Sequence, residues 1–293
     1  MVVFNTTNPY FTPDGVSRTI DLYHKTTSPY QDPNYYKLAT SGGSLRFGVP
    51  FTETDTVYFG AGVEKTTIVP GTLLPTSYLA YANQFGYSSI AVPLTVGWGR
   101  DRRDSALAPN SGRYQRANAE WSVAGDARYL KATYQFQEYI PLSKQFTAAF
   151  NGEAGWGVAS GGRSFPVFKN FFGGGLGSVR GFEQGSLGPR DSSGTVTGGT
   201  RKLNLNAELL TPFPGAGNDR TLRLYGFVDA GFVAGPDVAL ISNANANALR
   251  ASVGVGVSWI SPVGPLRLAF AKPIKKFEGD KIQAVQFQIG TTF

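Results

Sequence analysis

Cysteine is absent from this 293-residue chain, and histidine and methionine occur once each. The lack of cysteine excludes a disulfide framework, a thiol nucleophile and thiolate metal ligands. Charged residues make up only 16% of the chain, whereas soluble proteins average about 25%. Long apolar runs are missing too, and without about 18 consecutive apolar residues there is no candidate membrane-spanning helix. The first residues, MVVFNTTNPYF, do not resemble a signal peptide, so we expect an exported form to have lost its signal or to be part of a longer chain.

Catalytic motifs are also missing. GLGSVRG, which starts at residue 175, departs from the dinucleotide-binding pattern by one residue and precedes no predicted helix. The single histidine, His24, lacks the partners that catalysis or metal binding requires, so we expect it at a surface or an interface. We therefore predict no catalytic residue, no metal site and no cofactor, and we do not expect an enzyme.

The net charge of +7 is spread along the chain. Lysine and arginine form no long run, and the local sequence RDRRD at 100–104 contains its own aspartates. This distribution favours an anionic surface over a nucleic acid as a partner.

Alternation of apolar and polar residues with a period of two is the dominant pattern. In KLNLNAELL, for example, the leucines share one face, while lysine, asparagine and glutamate share the other. Such segments are two-sided strands, and no segment is predicted to be helical. The predicted strands, about thirteen in number, are 2–10, 16–25, 35–49, 55–66, 86–100, 112–124, 127–140, 145–158, 201–212, 220–234, 248–260, 265–273 and 282–293.

The connections alternate between short turns with proline and longer polar or glycine-rich loops. This arrangement is typical of an antiparallel transmembrane β-barrel, here of about 12–13 strands. Aromatic residues near the strand ends, among them Tyr10, Tyr139 and Phe213, fit an interfacial girdle. A soluble sandwich or barrel is the alternative, although its outer face would carry more charge. We predict a single domain at 1–293, with a long lumenal loop at 159–200.

One arginine stands between apolar residues in the glycine-rich segment GGGLGSVRGFEQGSLGPRD. Glu208 and Asp229 lie on the polar faces of the next two strands, and a carboxylate inside a barrel needs a cation. We expect the Arg180 side chain to fold into the lumen and to make a forked hydrogen-bonding contact with one or both of these carboxylates. Val179 and Phe182 would then be wedged against the wall. A mobile surface loop with a solvated arginine is the alternative.

The segment FFGGGLGSVRGFEQGSLGPRD resembles the sixth-loop signature of the BamA family, the central barrel subunits of the outer-membrane protein assembly machinery. TNPYFTPDGVS, YGFVDAG, SPVGPLRLAFAKP, KKFEGDK and FQIGTTF resemble further segments of that family, in the same order. The resemblance covers nearly the whole chain.

The resemblance implies a role for individual residues. Val179, Arg180, Gly181 and Phe182 would form the lumenal loop motif, with Glu208 and Asp229 as the acidic partners of the arginine. Phe227 and Gly231, together with Asp229, would belong to a wall motif. The C-terminal strand would present its assembly signal through Phe287, Ile289 and Phe293.

The resemblance also implies a function in the outer membrane of a Gram-negative bacterium. The chain would insert nascent β-barrel proteins without covalent chemistry, by membrane thinning and strand templating at an edge. Its partners would be outer-membrane lipids, nascent barrel proteins and, through upstream domains, assembly-machinery lipoproteins, with no nucleic acid. The alternatives are a polypeptide transporter of the two-partner secretion or TamA type, and a diffusion porin.

The chain departs from the family in two respects. By the resemblance, we expect the given sequence to start after the family's periplasmic POTRA domains and after about three of its first barrel strands. Two interpretations stay open: part of a longer chain, or a shortened barrel closed between the strand at 2–10 or 16–25 and the strand at 282–293.

Overall fold

Thirteen antiparallel strands form one continuous sheet in the computed structural model. The structure describes residues 1–28, 36–72, 74–192, 194–215, 221–235, 245, 247–262 and 264–290. Neighbours in the sheet are neighbours in the chain, apart from two short strands, β9 and β14, that pair with each other. β1 and β15 are the two ends of the pairing order.

The strands are 2 to 15 residues long. Their bounds are β1 Val2–Asn8, β2 Ser17–Thr27, β3 Lys37–Pro50, β4 Asp55–Val69, β5 Ser88–Asp101, β6 Gly112–Gly125, β7 Tyr129–Pro141, β8 Thr147–Ala159, β9 Gly181–Phe182, β10 Arg201–Pro212, β11 Leu222–Ala234, β12 Arg250–Ser261, β13 Gly264–Lys275, β14 Ile282–Gln283 and β15 Val285–Ile289. An α-helix, α1, spans Thr76–Phe85, and one 3-10 turn spans Val167–Lys169.

The predicted fold is confirmed, because each of the thirteen predicted segments overlaps a different strand of this sheet. The sheet wraps around the segment between β8 and β10. Lys169 of that segment contacts Glu64 on β4, whereas Arg180 contacts Asp229 on β11, six strands further along the pairing order. One loop thus contacts strands on both sides of the sheet's midpoint, as expected where the sheet curves around it as a barrel wall.

The prediction that no segment is helical was wrong. α1 lies in the loop between β4 and β5 and buries Tyr78, Tyr81 and Ala82. Its ten residues include no charged residue to mark an amphipathic period, and it is stabilised by packing against Tyr36 and Ile68 from outside the helix. No helix among the described residues is long and apolar enough to cross a membrane.

The two faces of the wall have different chemistry. Outward positions carry exposed apolar side chains such as Val63, Phe150, Leu205 and Val255, as lipid contact requires. Inward positions carry polar and charged residues. One predicted girdle residue, Tyr139, faces inward, because it lies in register with Ala149 and packs against the lumenal cluster around Tyr225 and Phe227.

Candidate functional site

The loop tip at residues 173–182 is a tight turn that only glycine permits. Gly174, Gly175 and Gly181 have φ values of 99°, 92° and 87°, a region that other residues rarely adopt. The Gly175 N–H lies 3.2 Å from the Val179 carbonyl oxygen and 3.0 Å from that of Phe182. The backbone is thereby folded around Arg180, whose side chain leaves the turn toward the wall.

Arg180 is bound on two sides by carboxylates of the wall. Its Nε and Nη2 donate to the two oxygens of Asp229 at 2.7 and 2.6 Å, and its backbone N–H donates to Asp229 Oδ2 at 3.0 Å. Its Nη1 donates to Glu208 Oε1 at 2.6 Å. Arg180 is 1% exposed and Asp229 is fully buried. The planar guanidinium thus donates two hydrogen bonds to one carboxylate, a bidentate contact that a lysine could not reproduce.

A second arginine completes the cluster. Arg267 on β13 donates through Nη2 to both oxygens of Glu208, at 3.0 and 2.9 Å. Two guanidinium groups therefore face two carboxylates, and their formal charges cancel. Burial lowers the pKa of Arg180, but its contacts with Asp229 and Glu208 raise the pKa more, so the net shift is upward.

Aromatic rings line the same site. The Arg180 guanidinium carbon lies 3.6 Å from the centre of the Phe227 ring, and that of Arg267 lies 4.7 Å from the centre of the Tyr225 ring. A cation over an aromatic face is stabilised by the ring quadrupole, more so away from water. Phe227 therefore contacts the arginine directly.

Gly231 makes room for the loop. A Cβ atom at this position would lie 2.7 Å from Val179 Cγ2 and 2.7 Å from Asn204 Oδ1. Val179 and Phe182 are fully buried and pack with Leu187 in an apolar cluster. Asn206 adds hydrogen bonds from its Nδ2 to the Ser178 carbonyl at 2.7 Å and to Asp229 Oδ1 at 2.8 Å.

The loop motif also binds the last strand of the sheet. Gln286 on β15 accepts a hydrogen bond from the Gly181 N–H at 3.2 Å and donates to the Phe182 carbonyl at 2.7 Å. Next to it, β9 pairs with β14, with Phe182 opposite Ile282. Gln286 was not among the predicted site residues, although its inward position is readable from the alternation in VQFQI.

A second ionic anchor, also missed, lies on the opposite wall. Lys169 Nζ lies 3.0 Å from Glu64 Oε1 on β4 and 2.9 Å from Glu120 Oε1 on β6. Tyr129 donates to the same Glu120 oxygen. The sequence places Glu64 and Glu120 at polar positions of alternating strands, but it carries no sign that Lys169 meets them.

The other predicted residues are placed as follows. Phe287 and Ile289 face outward and are 60% and 64% exposed, and Phe293 lies outside the described residues. His24 is exposed, and its Nδ1 lies 2.7 Å from Ser41 Oγ. In the described part of the chain, no group of three or more histidine or acidic side chains could hold a metal ion.

Sequence comparison identifies relatives over the whole chain. A family model described as the Omp85 superfamily domain matches residues 2–293. The outer membrane protein assembly factor BamA of Neisseria meningitidis serogroup B is 41% identical over 98% of this chain and 41% of its own length. The human sorting and assembly machinery component 50 homolog is 27% identical over 86% of this chain and 55% of its own length. The chain thus spans less than two thirds of either relative.

Solved structures show the same likeness. BamA from Haemophilus ducreyi lacking POTRA domains 1–3 superposes with a TM-score of 0.87 at 28% identity, covering 97% of this chain and 60% of that one. CdiB from Acinetobacter baumannii gives a TM-score of 0.57 at 15% identity, over 93% of this chain and 46% of that one. The second likeness is one of fold alone.

Proposed function

Because this chain belongs to the Omp85 superfamily, we propose that it assembles and inserts β-barrel proteins in the outer membrane of a Gram-negative bacterium. The chain is an outer-membrane barrel, as its BamA relatives are and as its apolar outer face requires. Within this proposal, residues 1–293 are one barrel domain and 159–200 are its lumenal loop.

The observation that carries the proposal is the bridge between the lumenal loop and the last strand. Arg180 is fixed to the wall by Asp229 and Glu208, and the next two residues hold Gln286 on β15. The loop therefore sets the position of an edge strand of the sheet. A positioned strand edge can pair with an incoming strand through main-chain hydrogen bonds.

The edge strand is short. In the described part of the chain, β15 pairs with β13 over five residue pairs, Leu266 to Phe270, with one further backbone hydrogen bond on each side, while β12 and β13 pair over eleven. At the other end of the pairing order, every residue of β1 is exposed. Short pairing makes exchange of strands less costly, which suits templating of a client strand.

The mechanism we propose is non-covalent. Membrane thinning beside the short edge strand and templating at that edge would lower the barrier to insertion, with no cofactor, no metal and no catalytic residue. The partners of the chain would be outer-membrane lipids, nascent barrel proteins and, through upstream domains, assembly lipoproteins.

The alternatives fit the lumen less well. A diffusion porin needs a water-filled lumen, whereas here the loop is anchored to both walls by Arg180 and Lys169. A polypeptide transporter of the two-partner secretion or TamA type would share the loop motif, and the likeness to CdiB extends only to the fold.

An insertion assay tests the proposal. The chain is folded into liposomes, a urea-denatured outer-membrane barrel is added, and insertion is followed by the gel shift of the folded client. We expect faster insertion than in liposomes holding an equal amount of an unrelated barrel. Equal rates, with this chain shown to be folded, would contradict the proposal.

A further inference from the structure

On the outer face of the barrel, the charged residues differ in sign between the long-loop end and the short-turn end. Strand pairing assigns each charged strand residue to one face, because directly paired residues point to the same side. Lys65 is opposite Ser41, which is opposite the outward His24, and Arg201 is opposite the outward Trp156. At the end where the long loops lie, the outward charged residues of the described strands are all basic: Lys37, Lys65, Arg201, Lys272 and Lys275.

These five cations are exposed. None of them takes part in an ion pair with a described carboxylate. At the short-turn end, by contrast, both outward acids are paired. Asp55 lies 2.6 Å from Arg100, and Glu138 lies 2.6 Å from Arg113. The asymmetry is therefore one of sign, because the long-loop end carries only cations, whereas the short-turn end carries both acids beside Arg18, Arg100 and Arg113.

The basic residues flank exposed apolar side chains. Lys65 follows Val63 on the same face, and Lys272 follows Phe270. A lysine or arginine at the rim of an apolar band extends its stem along the lipid and its charge toward the headgroups. Cations near the membrane surface that lack an acidic partner attract anionic headgroups.

We propose that this basic rim binds the phosphate groups of a phosphorylated lipid in the leaflet on the long-loop side. The long-loop side of an outer-membrane barrel is the extracellular one. The ligand class is thus a phosphorylated glycolipid headgroup anchored by its acyl chains, rather than a free anion. The inference requires the outer-membrane location but not the assembly activity.

Native mass spectrometry of the folded chain in detergent tests it, with diphosphoryl lipid A and the same lipid after removal of its phosphates. The test variant carries Lys65→Gln, Arg201→Gln and Lys272→Gln. The matched control carries Arg18→Gln, Arg113→Gln and Lys144→Gln at the short-turn end. Heat-dependent gel mobility verifies the folding of both.

The wild type should retain diphosphoryl lipid A over the dephosphorylated lipid, and the test variant should lose at least about tenfold in retention. The control should stay within about twofold, because its cations lie at the other end. Equal retention of the two lipids, equal losses in both variants, or displacement of lipid A by millimolar inorganic phosphate would each overturn the proposal.

Discussion

Arg180 is the residue on which the geometry of the lumen depends. Replacing it by alanine leaves Asp229 buried without a cation, and removing one partner of a buried pair costs about 3–5 kcal/mol. We expect Arg180→Ala to release the loop, so that added protease cleaves within 160–200. Arg180→Lys should be intermediate, since it keeps the charge but loses the fork. Unchanged protease resistance of the alanine variant would refute the ion-pair anchor.

Gly231 offers a test of packing without a change of charge. The Cβ of Gly231→Ala would lie 2.7 Å from Val179 Cγ2, and overpacking of this kind costs about 1–3 kcal/mol. We expect a lower unfolding temperature and an accessible loop. Gly226→Ala on the same strand is the control, because its Cβ would meet nothing closer than the Gly254 carbonyl oxygen at 4.0 Å. Identical behaviour of the two variants would mean that Val179 does not need this space.

At the scale of elements, α1 is capped from outside its own segment. The Thr76 N–H donates to Asp191 Oδ2 at 2.9 Å, and Asp191 also accepts from the Thr195 N–H at 2.9 Å. Loss of a helix cap costs about 1 kcal/mol, so Asp191→Ala should speed hydrogen exchange in the first turn of α1. Asp191→Asn keeps a hydrogen-bond acceptor and should speed hydrogen exchange less. If neither variant alters exchange, the cap does not stabilise the helix.

The turn between β5 and β6 crosses the short-turn end of the lumen. Arg223 on β11 donates to the Pro109 and Ala108 carbonyl oxygens at 2.9 Å each, although three strands separate β6 from β11 in the pairing order. We expect Arg223→Gln to free this turn, so that trypsin cleaves after Arg102 or Arg103 several times faster. Arg113→Gln, on the outer face, serves as the control. Equal cleavage would show that Arg223 does not hold the turn.

The strands were predictable and the helix was not, for a physical reason. A period of two is visible in each strand because one face meets lipid and the other meets the lumen. α1 depends on Tyr36 and on Asp191, which are distant in sequence, so its local pattern was too weak to predict it. Arg180, Glu208 and Asp229 could be related because they follow one another on the chain. Lys169, Glu64 and Glu120 could not, since their meeting depends on the curvature of the whole sheet.

At the scale of the whole molecule, the anchored loop should govern conduction. With Lys169 and Arg180 bound to opposite walls, the wild type should show low and flickering conductance in planar bilayers. Arg180→Ala, or removal of 163–198 with a glycine-serine linker, should raise the steady conductance. Large steady conductance of the wild type would favour a diffusion porin instead.

We propose that the lumenal loop, held by Arg180 and joined to β15 through Gln286, makes this barrel an insertion factor. The most direct measurement is the rate of client insertion by liposomes that hold equal amounts of folded wild type or of Gln286→Ala. Gln286→Ala breaks the bridge but leaves the Arg180 ion pairs in place. We expect the variant to lose most of the acceleration over protein-free liposomes. Full activity of folded Gln286→Ala, with the loop still protected from protease, would contradict the claim.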